Sequence, residues 1–314
     1  MTPSYLRELA PEVDLTAARA TAERISERVG RARVQIRSGF IESRTPTTPP
    51  PLTRLLRGGR GGEVKVKLLL SMMWSAPSAP YDVTFPARTW ATLLGLPDPE
   101  GKGAARVNDA IRTLTKLHYV RAVQRAGQPS RVFLLNELGT GDPYSHPGEI
   151  WQAVKDADSR VRRKIPRYMQ LPVDLWVNGW MAALSGTALA MLLVLLDSAR
   201  GKEPVRLWFS QSVAKDRYAL TEPTRKRGLD ELEEYGLITV EREQVVRDEV
   251  STRRYRNTYT VHTDVFGKLP EESGHDRIVL PKNSRRRASK LVVDFSGVED
   301  QDGDASTAET PSTG

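Results

Sequence analysis

The chain has 314 residues, which is room for about two domains and additional tails. Its 47 Lys and Arg against 39 Asp and Glu give a formal net charge of +8, which favours a polyanionic partner, nucleic acid before an anionic membrane. The absence of cysteine excludes disulfides, thiolate metal sites and cysteine nucleophiles. The first residues, MTPSYLREL, lack the apolar core of a signal peptide, so we expect a cytoplasmic protein.

Residues 1–44 are predicted to form a helical N-terminal extension. The segment 15–34 is rich in Ala, Glu and Arg, and Asp14 before it is a suitable N-cap. Its apolar face is thin, so we expect it to pack on the body of the protein or on a partner, and it offers a contact for a homodimer. Residues 45–62 follow as a linker, Pro-rich at first (TPTTPPPL) and then Gly-rich (RGGRGG).

A first domain is predicted over 63–138. Turns separate its longest helix from shorter elements. That helix is predicted from apolar residues that recur on one face at helical spacing, Val107, Ala110, Ile111, Leu114 and Leu117. The predicted elements are a helix over 64–76, a short strand over 81–85, a short helix over 88–94, a helix over 104–117 and strands over 119–123 and 132–135. The order is therefore helix, strand, helix, helix, strand, strand.

After a connector over 139–164, a second domain over 165–268 repeats this order. Ser210 and Thr221 are suitable N-caps for its second and third helices. The predicted elements are a helix over 187–199, a strand over 205–209, a helix over 211–218, a helix over 221–235 and strands over 237–243 and 255–261. The tail over 269–314 carries a basic cluster at 282–290 and then an acidic, Ser/Thr-rich segment, which predicts disorder.

The most apolar stretch of the chain is WMAALSGTALAMLLVLL, residues 180–196. Ser185, Gly186 and Thr187 interrupt it, and its uninterrupted part is too short to cross a bilayer. We therefore predict a buried core helix here and no membrane partner.

Both domains have a similar sequence where the last helix meets the hairpin, IRTLTKLHYV at 111–120 and LDELEEYGLI at 229–238. In element order and in these junctions the chain resembles the winged-helix family. Gly236 fits the C-cap position that turns the chain into the hairpin, and His118 or Tyr119 takes that place in the first domain. The resemblance implies an α+β, mainly helical fold with two winged helix-turn-helix domains in tandem, a helical N-terminal extension and a disordered C-terminal tail.

In the second domain, the resemblance makes the helix over 221–235 the recognition helix. Its N-terminal end is basic and its C-terminal end is acidic, so the basic end is expected to enter a groove of DNA. Cations at a helix N-terminus oppose the helix dipole, so a ligand explains them better than helix stability does. The predicted DNA-binding residues here are Thr221, Thr224, Arg225, Lys226 and Arg227 on the helix, with Arg253, Arg254 and Arg256 on the hairpin, or wing.

In the first domain, Arg106 and Asn108 are candidates for base contacts, because Arg suits guanine and Asn suits adenine in the major groove. Lys102 and Lys116 are candidates for phosphate contacts. The alternative for this surface is a solvated helix face. The predicted DNA-binding residues of this domain are Lys102, Arg106, Asn108 and Arg112 on the helix, with Arg125 and Arg131 on the wing.

The sequence offers no recognisable catalytic or metal site. The four His residues are scattered without metal-ligand spacing. Residues 95–103 do not form a Walker phosphate loop, because Lys102 is followed by Gly rather than by Ser or Thr. We therefore predict no enzymatic activity, no cofactor, no metal and no small-molecule ligand.

The resemblance extends to plasmid replication initiators, which have two winged-helix domains in one chain. It implies sequence-specific binding of double-stranded DNA at the origin repeats of a bacterial plasmid or mobile element. Two alternatives stay open: a transcriptional regulator that binds a promoter, and a winged-helix module that docks a protein, against which the basic charge argues. The expected partner is double-stranded DNA, a homodimer is left open, and the expected location is the cytoplasm, on the nucleoid or on a plasmid.

Overall fold

The computed structural model describes residues 13–43, 45, 48–57, 60–201, 206–245, 254–273 and 292–294, and these form an α+β structure. The helices are α1 (Leu15–Val29), α2 (Pro51–Leu56), α3 (Arg60–Ser75), α4 (Ala87–Leu93), α5 (Lys102–Lys116), α6 (Pro147–Ala153), α7 (Ser159–Lys164), α8 (Asp174–Val177), α9 (Trp180–Ala183), α10 (Gly186–Ala199), α11 (Gln211–Asp216) and α12 (Glu222–Glu234). The strands are β1 (Arg33–Arg37), β2 (Asp82–Val83), β3 (Val120–Arg125), β4 (Gln128–Leu134), β5 (Tyr168–Pro172), β6 (Arg206–Trp208), β7 (Ile238–Val245), β8 (Arg254–Val261) and β9 (Val292–Asp294).

The N-terminal part contains a strand that the sequence did not predict. Asp14 caps α1 by accepting a hydrogen bond from the N–H of Ala17 at 2.9 Å, and Gly30 ends the helix in the left-handed conformation with φ of 60°. The chain beyond Gly30 alternates between polar and apolar residues, a pattern that suits a strand. As β1 it pairs antiparallel with β5, which places Val34 opposite Leu171, both fully buried.

The predicted linker over 45–62 is wrong over part of its length, because residues 51–56 form α2. Pro51 takes the first helical position, where its fixed φ and missing N–H carry no penalty. Leu52 and Leu55 lie three residues apart and are fully buried, so one face of this short helix belongs to the core. The Thr53 hydroxyl donates a hydrogen bond to the carbonyl of Tyr218 at 2.6 Å.

The first repeat, defined here as α3 to β4, has the predicted order of helix, strand, helix, helix, strand, strand. Its sheet has the order β2-β4-β3 with antiparallel neighbours. Helix α5 buries Val107, Ala110 and Leu114, which confirms its predicted apolar face. Leu117 was expected on the same face but is 40% exposed, because the helix ends before it.

The second repeat, defined as α10 to β8, also has the predicted order. Its sheet has the order β7-β8-β6-β9, and β7 and β8 form a long antiparallel hairpin. Every residue of α10 except Thr187 is buried, as expected for a core helix. None of the helices in the described part of the chain combines the length and apolar character needed to cross a membrane.

Two segments that were expected to be irregular contain regular structure. The connector over 139–164 includes α6 and α7. The tail was predicted to be disordered, but residues 292–294 form β9, which pairs in parallel with β6. Two adjacent valines suit a strand, and β6 offers them an edge on which to pair. The basic cluster at 282–290 lies outside the described residues.

Buried polar contacts tie the N-terminal segment to both repeats. Arg37 on β1 forms an ion pair with Glu137, just after β4, with Nη1 and Oε2 2.6 Å apart and the two side chains 4% and 0% exposed. The Ser38 hydroxyl donates to Asp197 on α10 at 2.6 Å. The buried apolar residues of both repeats belong to one continuous core. The two repeats are therefore held on a common scaffold.

Candidate nucleic-acid interface

Helix α12 presents its N-terminal end at the surface. Thr221 is its N-cap and accepts a hydrogen bond from the N–H of Thr224 at 3.4 Å, as the sequence predicted. Gly236 follows the C-cap with φ of 69°, and His118 has φ of 60° at the corresponding point of the first repeat, which confirms both predicted turn positions. The two threonines thus have a capping role in positioning this helix.

The basic residues of α12 differ in their surroundings. Lys226 and Arg227 are exposed and form no ion pair with another described residue. Arg225 is half-buried, and its Nε is buried without a hydrogen-bond partner among the described residues. It lies close enough to Tyr259 on β8 to oppose electrostatically the rise in that tyrosine's pKa that burial causes. The three cations predicted here therefore include two at the surface and one against the wing.

The wing face next to Arg225 carries a pair that the sequence prediction missed. Side chains two residues apart on a strand share a face, so Arg242 lies on the same face of β7 as the buried Ile238. The guanidinium of Arg242 lies 4.6 Å from the centre of the Tyr255 ring, and Tyr255 is 50% exposed. On the same face, Asn257 hydrogen-bonds the Tyr259 side chain. Strand alternation was the signal that would have identified this group.

Arg256 was predicted to contact DNA, but it lies on the opposite face of the wing. Both Nε and Nη2 of its guanidinium donate to Glu243 at 3.1 Å, and the same group lies 4.6 Å from the centre of the Trp208 ring. The register pairs Glu243 directly with Arg256, so sheet geometry accounts for the contact. Glu243 and Trp208 therefore hold the guanidinium of Arg256 against the sheet.

Arg131 repeats this arrangement in the first repeat. Its Nε and Nη2 donate to the two carboxylate oxygens of Asp82 at 2.5 and 2.9 Å, and it lies 4.8 Å from the centre of the Phe133 ring. Phe133 lies on the face opposite to the buried Val132 and Leu134. The side chain of Arg131, a predicted DNA contact, therefore lies on the face of the sheet opposite to the core.

Helix α5 carries an exposed polar surface. Lys102, Asn108 and Arg112 are all exposed, and Arg112 forms an ion pair with Asp109 on the same helix. The carboxylate of Asp98 accepts hydrogen bonds from the N–H groups of Gly101 at 3.2 Å and Lys102 at 2.8 Å. An anion of the protein itself therefore occupies the N-terminal end of α5.

Arg106 was predicted to contact a base, but the structure does not place it on the exposed side of α5 with Asn108. It is half-buried and lies on the side of α5 that faces α3, where its charge helps to lower the pKa of Glu63. It lines a small groove between the two helices with Val64 and Lys65. The exposed candidates on α5 are thus Lys102, Asn108, Arg112 and, at its last residue, Lys116.

The remaining predicted residues are only partly described. Arg253 lies outside the described residues. Arg125 ends β3 and Arg254 begins β8, and their side chains lie outside the described part of the structure. Among the described residues, no group of three or more His, Asp or Glu side chains is placed to hold a metal ion.

Comparison with known proteins yields no match to a family model, to a curated protein or to a solved structure.

Proposed function

We propose that this chain is a sequence-specific double-stranded DNA-binding protein built from two winged-helix domains. The observation that carries the proposal is the exposed basic N-terminal end of α12, beside a wing face that bears Arg242 and Tyr255. A helix of this kind enters the major groove by its N-terminal residues, and the adjoining hairpin reaches phosphate or the minor groove. The first repeat has the same element order, with α5 in the position of α12, and this supports α5 as a second DNA-reading helix.

The proposed biological role is that of a replication initiator of a plasmid or mobile element. Two non-identical repeats on one scaffold suit a long, asymmetric site that a single chain can bind. Origin repeats are sites of this kind, since each repeat in the DNA would take one protein chain. The resemblance of the sequence to tandem winged-helix initiators supports the same role.

Selection of bound fragments from genomic DNA by the purified full chain tests the proposal. Direct repeats beside a replication origin are the expected result. A single inverted repeat in a promoter would instead identify a transcriptional regulator. If the protein has no affinity for any duplex at low salt, the DNA-binding proposal fails and the interaction-module alternative replaces it.

A further inference from the structure

Helices α3 of the first repeat and α12 of the second, together with α9, contribute residues around the N-terminus of α10, where the side chain of Lys67 is buried. Lys67 lies on α3 and is 1% exposed. Its Nζ is 2.7 Å from Oε1 of Glu63 and donates to the carbonyl of Ala182, at the end of α9, at 3.3 Å. The ammonium therefore links the first helix of the first repeat to the segment that leads into the second repeat.

Two carboxylates meet at this point, one from each repeat. Glu63 of α3 accepts a hydrogen bond from the N–H of Gly186, the first residue of α10. Glu231 of α12 accepts one from the N–H of Ser185 at 2.7 Å, and the Ser185 hydroxyl also donates to it. The positive end of the α10 dipole and the ammonium of Lys67 offset the negative charge of both groups.

Both candidate DNA-reading helices act on this cluster electrostatically. Burial raises the pKa of Glu231 on α12, and the charge of Lys67 opposes that rise. Burial also disfavours the ionised form of Glu63, but Lys67, Gly186 and Arg106 of α5 together hold its pKa below the usual value. Lys67 thus contacts Glu63 directly and acts on Glu231 through its charge, while the adjacent residues Ser185 and Gly186 bind the two carboxylates to the start of α10.

Glycines bring the helices close enough for this arrangement. A Cβ added at Gly186 would lie 2.9 Å from Cβ of Glu63, and one added at Gly228 on α12 would lie 2.4 Å from the carbonyl oxygen of Thr187 on α10. Helix α10 therefore packs tightly against α3 on one side and against α12 on another. Because α5 packs on α3, a single connected body runs from α5 to α12.

We propose that Lys67 is a positioning residue that fixes α12 relative to α5, and so makes the protein select DNA by the spacing between the two sequences that these helices read. This inference rests on the proposed function. A buried charge that is satisfied only in one arrangement of its partners favours that arrangement over others. Removing the charge would leave each helix folded on its own repeat and would loosen the relation between the repeats.

The test uses the full chain and the duplex that it enriches most from a random-sequence pool, with the two contacted segments located by hydroxyl-radical footprinting. A second duplex carries an insertion of half a helical turn, roughly five base pairs, between those segments. The wild-type protein is expected to bind the second duplex about a hundredfold more weakly, roughly the loss that one or two mismatched base pairs would cause. The variant Lys67→Met is expected to reduce that difference to about tenfold or less.

Two further variants keep the experiment decisive. Lys65→Met makes the same change two residues away on α3, at a half-exposed position, and is expected to keep the wild-type spacing preference. Glu63→Gln/Lys67→Met removes both charges of the pair and serves if the single variant does not fold, because replacing a whole buried pair is tolerated better than breaking it. A folded variant that keeps the wild-type spacing preference would overturn the proposal for Lys67.

Failure of the two proposals can be told apart. If no duplex is enriched by the wild-type chain, the DNA-binding proposal itself fails. If a duplex is enriched but the wild-type chain tolerates the insertion, DNA binding stands and the fixed spacing is refuted.

Discussion

The double variant Lys226→Ala/Arg227→Ala tests the surface on which the proposed function depends. Both side chains are exposed near the start of α12, and neither forms an ion pair with another described residue. They can therefore be removed without leaving a buried partner unsatisfied. Since cations at a helix N-terminus oppose the helix dipole, their removal should leave the thermal unfolding midpoint unchanged or slightly raised.

The size of the effect on DNA binding follows from counterion release. Each phosphate that a protein neutralises contributes about −0.9 to the slope of log affinity against log salt concentration. If each of the two side chains contacts one phosphate, the variant should lose about 2 units of slope. Over a fourfold rise in salt, the wild-type affinity should then fall by about tenfold more than that of the variant.

Fluorescence anisotropy titrations over a series of salt concentrations measure this slope. The matched control is Arg24→Ala/Arg28→Ala, which removes the same formal charge from the exposed face of α1. The control should keep the wild-type slope, because the change in net charge is the same and only the location differs. Equal slopes for the wild type and the α12 variant would refute the assignment of this helix end to DNA.

Three further predictions concern the packing and the ionisation of the fold. Gly228→Ala should lower the free energy of unfolding by about 1–3 kcal/mol in urea denaturation, because the added Cβ would overlap the backbone of α10. Gly61→Ala is the control: it lies in a helix with open space around the added Cβ, so it should raise the free energy of unfolding by about 0.4–1 kcal/mol. Arg256→Ala should lower the thermal midpoint but leave DNA affinity unchanged, and a selective loss of affinity would show that this face of the wing contacts DNA. Burial raises the pKa of Asp197 above its ordinary value of 3.8. The stability that protonated Asp197 contributes is therefore greatest below pH 3.8 and is lost as the pH rises through the raised pKa. Asp197→Asn keeps an acceptor for Ser38 and should remove this part of the pH dependence in urea denaturation from acid to neutral pH, so an unchanged profile would contradict the assignment.

Local signals were sufficient to predict the elements of both repeats. The helical spacing of Val107, Ala110 and Leu114 fixes which side of α5 is buried. Thr221 and Gly236 mark the two ends of α12, because a side-chain acceptor and a left-handed residue meet local requirements of the backbone. Information of this kind lies within a few residues of the position concerned, and the sequence displays it directly.

The parts that could not be predicted depend on contacts between distant residues. Arg37 and Glu137 are far apart in the chain, and nothing in either neighbourhood shows that β1 and the end of β4 come together. The buried face of α2 likewise depends on contacts with α3 and α10, and Thr53 on it donates to the carbonyl of the distant Tyr218. For the wings, the sequence identified the basic residues, but the register of the hairpin decides that Arg256 faces Trp208 and that Arg242 faces Tyr255.

The two repeats share one wing design but differ at the start of their candidate reading helices. In each wing an arginine on the outer face of the sheet pairs with a carboxylate and lies over an aromatic ring. At α12 the cap is the neutral Thr221, and the first turn carries one exposed carboxylate, Glu222. The exposed Lys226 and Arg227 that follow outnumber it, so an incoming phosphate meets net positive charge and the positive end of a dipole. At α5 the carboxylate of Asp98 already occupies that position, so a phosphate there would meet a like charge. The second repeat should therefore supply most of the electrostatic attraction to DNA, and the first should act through the exposed side of α5, where Asn108 lies.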